Sequence, residues 1–235
     1  MKRLLFSIPI LLFLANCAAF VPEVGDRGVV TETQQENTYV AFYSKESPRL
    51  KVKLPAEFKF VGHVSGKKII SDSDVPGGNN QYIDYYIFVV ADTSSRIEKL
   101  IEIRINRIQD GDLSLDMFSW MKPNFDSGYI DFLTGKYLYG TTVSSYGTGK
   151  HVDYVANKGY ILPAGFLVKG YGRRLEGNNI TFQVYYAEDL MHLEQGEYGT
   201  LKDWREKLLD AKQIQIFREF KVRADNSFTI MPYSN

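Results

Sequence analysis

Apolar residues recur at every second position through much of this chain, the spacing at which side chains fall on one face of a pleated strand. Short stretches of this kind run over Tyr39 to Tyr43, Lys51 to Leu54, Glu57 to Val64 and Lys67 to Ile70, with Pro48, Pro55 and Gly66 as punctuation. Tyr82 to Ala91 is apolar on both faces apart from Asp84, which predicts a central strand covered on each side. Ile97 to Ile108 fits two templates. Ile97, Leu100, Ile101, Ile105 and Ile108 share a helical face behind a Ser95/Glu98 capping box, whereas Ile101, Ile103 and Ile105 alternate with Glu102, Arg104 and Asn106. Isoleucine richness and the preceding Asp92-Thr93-Ser94-Ser95 turn favour the strand.

Further along, Leu113 to Met121 reads as a short helix before Pro123, and Tyr129 to Val143 as extended, aromatic chain. Phe166 to Leu175 and Ile180 to Tyr186, joined by Glu176-Gly177-Asn178-Asn179, form the clearest hairpin. Thr200 caps a helix with Leu201, Trp204, Leu208 and Ala211 along one side. From Gln213 the period reads as two, with Ile214, Ile216, Phe220 and Val222 as the apolar set, and Phe228 to Met231 is a last strand. The sum is an α+β domain, mainly antiparallel β in sandwich-like sheets with one or two packed helices.

Composition sharpens this picture at two points. Tyr, Phe and Trp make up 14% of the chain, and aromatic side chains suit a half-buried pleated surface. Lys and Arg equal Asp and Glu at 28 each, so no excess of positive charge recommends nucleic acid as a partner.

The N-terminus has a different organisation. Lys2 and Arg3 precede an apolar run from Leu4 to Ala15, broken only by Ser7 and Pro9 and followed by Cys17, Ala18 and Ala19. That order is the layout of an export signal, and the apolar run is too short for a membrane-spanning helix, which needs about 20 residues. Cys17 is the single cysteine, so the fold cannot rest on disulfides. Leu14-Ala15-Asn16-Cys17 resembles the lipobox of bacterial lipoproteins, with Asn16 standing where that family usually has Gly, Ala or Ser. The resemblance implies a diacylglycerol on the Cys17 sulfur and cleavage before Cys17. Ala18, where inner-membrane retention generally calls for Asp, implies delivery to an outer membrane. The other reading of the same residues is an ordinary signal peptide cleaved near Ala19.

Three segments follow from these readings: a signal peptide over 1–16, a lipid-anchored tether over 17–37, and one β-rich domain over 38–235. Two or three acyl chains on Cys17 would hold such a protein on a membrane, since each buried methylene contributes about 0.8 kcal/mol.

Chemistry-bearing motifs are sparse. His63, His151 and His192 lack partners at metal-ligand spacing and read as ordinary surface or strand histidines, and no H-E-x-x-H or G-x-S-x-G occurs. Gly147-Thr148-Gly149-Lys150 lacks the first glycine and the closing Ser or Thr of a phosphate loop. Gly170-Tyr171-Gly172 lies within a strand, where glycine relieves crowding or marks a bulge. Asp72, Asp74, Asn79 and Asn80, and separately Asp110, Asp112 and Asp116, depart from the spacing of a calcium loop and read as solvated turns. No cofactor, metal or catalytic residue is therefore assigned. Tyr85, Tyr86, Tyr137, Tyr139, Tyr146, Tyr154, Tyr160, Tyr171, Tyr185 and Tyr186 supply rings for stacking on a glycan or anchoring a protein, although strand tyrosines are more often half-buried structure.

The expectation is a membrane-anchored envelope lipoprotein with a non-catalytic binding or structural role, its partner an unidentified envelope glycan or protein. The alternatives are an envelope hydrolase whose carboxylates only the fold brings together, and a soluble secreted protein.

Overall fold

A computed structural model of the chain describes residues 26–34, 37–70, 79–108, 125–175, 179–191, 204–205 and 209–234. The export segment with Cys17, the loop bearing Asp72 and Asp74, residues Asp110, Asp112 and Asp116, the predicted helix over Leu113 to Met121 and His192 lie outside the described residues.

The elements described in full follow in the order β1 (Arg27–Gln34), β2 (Asn37–Ser44), β3 (Leu50–Pro55), β4 (Lys59–Ile70), β5 (Asn79–Ala91), β6 (Ile97–Ile108), β7 (Asp126–Phe132), β8 (Gly135–Ser144), α1 (Lys150–Asn157), β9 (Phe166–Leu175), β10 (Ile180–Asp189), α2 (Ala211–Asn226) and β11 (Thr229–Pro232). They make a four-stranded sheet, β1-β2-β3-β11, and a seven-stranded sheet, β4-β5-β6-β10-β9-β8-β7. The pairings between neighbouring strands are antiparallel. After β6 the chain crosses to the far edge, returns through β7, β8 and β9, and closes the gap with β10 beside β6. The mainly antiparallel α+β character read from the sequence is thus the observed one.

Two clusters of buried side chains cover the two faces of the large sheet. One joins Phe42 and Val52 of the small sheet to Phe88, Ile103 and Val184 of the large one and to Phe220 of α2. The other gathers Ile87, Val89, Leu100 and Val168 on the opposite face beneath Val155 of α1. β5 is covered on both sides, as its apolar run predicts. In β6, Ile101, Ile103 and Ile105 enter the first cluster, so the strand template holds and its alternation is real.

Several expectations are corrected. Residues 27–34, within the stretch read as tether, form β1, whose Val29 is buried against the first cluster. Glu57 to Val64 and Lys67 to Ile70 join in the single strand β4, and Tyr129 to Val143 is the β7–β8 hairpin turning at Leu133 and Thr134. α1 was not foreseen. Of the helix expected from Thr200, only Trp204 and Arg205 are described, and both are helical.

The largest correction is α2, which occupies the segment read as a strand from Gln213. Asp210 starts it: its carboxylate accepts from the Gln213 N–H at 2.8 Å while Gln213 Oε1 accepts from the Asp210 N–H at 3.0 Å, a reciprocal cap. Gln213, Ile216, Phe220 and Ala224 then fall on one buried face at spacings of three and four. Ile214 and Val222, counted as core by the period of two, are exposed.

Candidate functional site

The site stands on the face of the large sheet away from the small sheet. In β6 the residues opposite the isoleucines, Glu102 and Arg104, point there, and register places Glu102 beside Tyr185 of β10. Tyr185 in turn faces Gly170, and Gly170 faces Gly140, so side-chain-free backbone continues the row and leaves room for the ring. β8 ends at Ser144, and the segment that follows carries Tyr146 and then His151, in the first turn of α1, back over this face. The result is a pocket of about 240 Å³ with Glu102 and Arg104 in its floor, Tyr146, Tyr185 and His151 around it, and Leu100, Val168 and Ala187 as apolar wall.

Its electrostatics are internally closed. Glu102, only 1% exposed, takes the Arg104 Nε–H on one oxygen and the Tyr146 hydroxyl on the other at 2.8 Å. Burial works against the Arg104 charge, but the Glu102 carboxylate outweighs it and raises the guanidinium's pKa above its ordinary value. Burial, followed by the adjacent carboxylate, pushes the Tyr146 phenol well above its ordinary range. The guanidinium carbon lies 4.3 Å from the centre of the Tyr185 ring and 5.4 Å from that of Tyr85. His151 stacks on Tyr85 with ring centres 4.6 Å apart and planes 7° from parallel, and meets Tyr146 edge to face at 5.3 Å. Burial holds its imidazole below the ordinary 6.5, which favours the neutral ring at pH 7.

Chemically the pocket offers aromatic faces, apolar wall and hydrogen-bonding edges around one engaged carboxylate. A glycosidase needs two carboxyl groups about 5 to 9.5 Å apart. Among the described lining residues there is one. Neither do the described residues hold a cluster of three or more His, Cys, Asp or Glu suited to a metal ion.

A second polar group resembles a catalytic triad without its geometry. Ser65 Oγ donates to Asp84 Oδ1 at 2.7 Å, and His63 Nε2 lies 3.4 Å from that same oxygen and 3.3 Å from Ser65 Oγ. A triad histidine uses opposite ring nitrogens for its acid and its nucleophile, whereas here Nε2 meets both. Arg27 at 3.3 Å and Arg107 at 3.1 Å also hold Asp84. Burial alone would raise the Asp84 pKa, but the His63 and Ser65 hydrogen bonds and the nearby positive charge bring it below the ordinary value. The group fastens β1 to β5 and β6.

Of the tyrosines singled out in the sequence, Tyr146 and Tyr185 line the pocket and Tyr85 backs it. Tyr86, Tyr137, Tyr171 and Tyr186 belong to the core, and Tyr139 is partly buried against it. Tyr154 of α1 and Tyr160, just after it, pack against the second cluster. His151 joins the pocket and His63 does not. Sequence reasoning missed Glu102 and Arg104. Their alternation with the isoleucines of β6 showed only that they share a face, and what covers that face, Tyr146 and His151, lies far along the chain. Gly147-Thr148-Gly149-Lys150 leads into α1, which has no side-chain cap.

Compared with protein-family models, with curated proteins and with solved structures, the chain matches none.

Proposed function

We propose that this protein is a membrane-anchored lipoprotein of the bacterial cell envelope, acylated on Cys17, whose two sheets stack as a sandwich and whose role is non-catalytic binding. The reading of the anchor rests on Leu14-Ala15-Asn16-Cys17 behind a short apolar run, with Ala18 favouring the outer membrane. Among the described residues, no helix is long and apolar enough to cross a membrane.

The observation that carries the binding role is the engagement of both Glu102 oxygens, by Arg104 and by Tyr146, in the floor of the α1 pocket. A carboxylate so occupied is suited to fixing neighbouring groups and not to exchanging protons with a substrate. Tyr146, Tyr185 and His151 around a net neutral floor suit a neutral, hydroxyl-bearing ring such as one sugar unit of an envelope glycan. Contact between Phe42 of the small sheet and Tyr86 of the large one, ring centres 4.5 Å apart, supports the stacked sheets.

Metabolic labelling with an azido fatty acid tests the anchor: the wild-type chain takes up label and Cys17→Ala does not, and equal uptake by the two sinks the anchor. Titration with envelope glycan fragments tests the pocket. Tyr146→Ala abolishes saturable binding if the ring is part of the site, and undiminished binding by that variant rejects the pocket as the place.

A further inference from the structure

We infer that the domain stands on a lipid bilayer through the β7–β8 turn, which holds the α1 pocket at the end of the molecule away from the membrane. The inference rests on the acyl anchor proposed for Cys17 and adds to it a second, non-covalent contact with lipid.

The way the chain enters the domain selects the end. Asp26 leads directly into β1, and its carbonyl accepts from the Lys45 N–H at 2.8 Å. Arg27 donates from Nη2 to the Ser47 carbonyl at 2.7 Å, and Ser47 lines one space together with Leu133 and Thr134 of the β7–β8 turn. β1 therefore starts beside that turn. Nine residue steps separate Cys17 from Asp26, and fully extended they span at most about 30 Å. β8 runs from Gly135 at the turn to Ser144 in the lining of the α1 pocket, itself about 30 Å at roughly 3.3 Å per residue. Bringing the pocket end to the lipid would draw the connection out to its limit, whereas the turn end meets the lipid with length to spare.

What the turn presents suits a lipid surface. Leu133, 73% exposed, is the most exposed large apolar residue among the described residues. Single exposed leucines are common on protein surfaces, but this one is braced outward beside the anchor. Phe132 stacks on Phe228 with ring centres 5.6 Å apart, Thr134 Oγ1 and the Tyr137 hydroxyl share a hydrogen bond of 2.8 Å, and Arg173 Nη1 donates to the Thr134 carbonyl. Gly135, with φ of +119°, makes room for that arginine, since an added Cβ would sit 2.6 Å from Nη1.

Behind the tip, Tyr129 of β7 is 69% exposed, and the Lys136 ammonium lies 5.8 Å from the centre of its ring. With the hairpin inclined to the bilayer, a tyrosine ring belongs at headgroup level, and a lysine stem lies along apolar surface with its ammonium in water. Asp131 and Lys136 are exposed cross-strand neighbours and the charged residues of the tip over 129–137, so zwitterionic phospholipid matches their balance. One leucine and one tyrosine would hold a free protein weakly, but the anchor makes the contact intramolecular, and a weak one then suffices.

Spin labelling of the full acylated chain in zwitterionic phosphatidylcholine vesicles tests the docking. Acylation occupies the Cys17 sulfur, so Leu133→Cys or Ile161→Cys supplies the one thiol for a nitroxide. Ile161 is 51% exposed and marks the pocket end, its N–H bonded to the Ser95 carbonyl ahead of β6. The nitroxide at 133 collides more with oxygen, which concentrates in lipid, than with a water-soluble nickel chelate, and the one at 161 shows the reverse. In Cys17→Ala chains labelled at the same positions and kept in buffer without vesicles, both labels favour the chelate. Chelate preference at 133 in a chain that takes up azido fatty acid overturns the docking and leaves the anchor standing. So does lipid contact at 161 in place of 133, or oxygen preference at 133 that is the same without vesicles. Absence of fatty-acid uptake at Cys17 sinks the anchor and the docking with it.

Discussion

The ring of Tyr154 on α1 rests against the backbone of Gly62 on β4 so closely that a Cβ at residue 62 would lie 2.1 Å from the phenol oxygen and 2.7 Å from Cζ. This contact sets the height of α1 above the sheet, and with it the position of His151 over the pocket. Gly62→Ala is therefore expected to cost about 1 to 3 kcal/mol through overpacking, measured by thermal or denaturant unfolding. Tyr154→Ala in the same chain relieves the clash, so the double variant loses less than the two single losses combined. Additive losses would show that the two residues do not bear on each other.

The cap of α2 allows a second test. Asp210→Ala removes the acceptor for the Gln213 N–H and is expected to lower stability by about 1 kcal/mol. Val222→Lys, at a position 62% exposed, should change stability by less than about 0.5 kcal/mol. If residues 213–222 formed a strand with Val222 in its core, the lysine would be the costlier substitution by far, so comparing the two melting curves separates helix from strand.

These two residues also show where the sequence was legible and where it misled. Ile101, Ile103 and Ile105 declared their strand because one complete face of β6 enters the core, and the Phe166–Leu175 and Ile180–Asp189 hairpin was marked by its Asn and Gly turn. Over residues 213–222 the apolar positions fit both a period of two and the face 213, 216, 220, 224. Asp210 followed by Gln213, a capping pair, was the deciding signal. α1 escaped notice because it buries Val155 alone within its eight residues, too little for an apolar stripe. Glu102 and Arg104 looked like the solvated side of a strand, since alternation reports which residues share a face and not what covers that face. The α1 helix and Tyr146 that cover it come from a distant part of the chain.

Lys169 and Asp225 form a lopsided pair, from which a third prediction follows. The Lys169 side chain is 1% exposed and its ammonium donates to Asp225 Oδ1 at 2.6 Å, whereas the Asp225 side chain is 33% exposed and also accepts from the Tyr171 hydroxyl at 2.9 Å. Burial lowers the Lys169 pKa, and Asp225 counteracts this. Asp225→Asn strands the buried ammonium and is expected to cost about 3 kcal/mol, while Lys169→Met leaves a carboxylate with water and a phenol for partners and costs roughly 1 to 2 kcal/mol. Combining both removes the stranded charge, so the double variant should be more stable than Asp225→Asn alone. Chemical denaturation of the four proteins checks the order, and a double variant no better than Asp225→Asn would refute it.

The pocket histidine provides a pH signature. Because burial depresses the folded-state pKa of His151 below its ordinary 6.5, the folded protein binds a proton there less readily than the unfolded chain. Its contribution is fully present above about pH 6.5 and is lost as pH falls through the lower folded value. Glu102 and Asp153 pull that value up and Arg104 pulls it down, but burial is the larger influence. His151→Phe retains a ring to stack on Tyr85 and has no proton to take up. The stability of the wild type minus that of His151→Phe should therefore be constant above about pH 7 and decline progressively below pH 6.5, while carboxylates common to both proteins cancel in the difference. Denaturant midpoints of the two proteins across pH 5 to 8 provide the measurement; a level difference would mean that burial and Glu102 cancel at this position, and one that grows as the pH drops would mean that Glu102 outweighs burial.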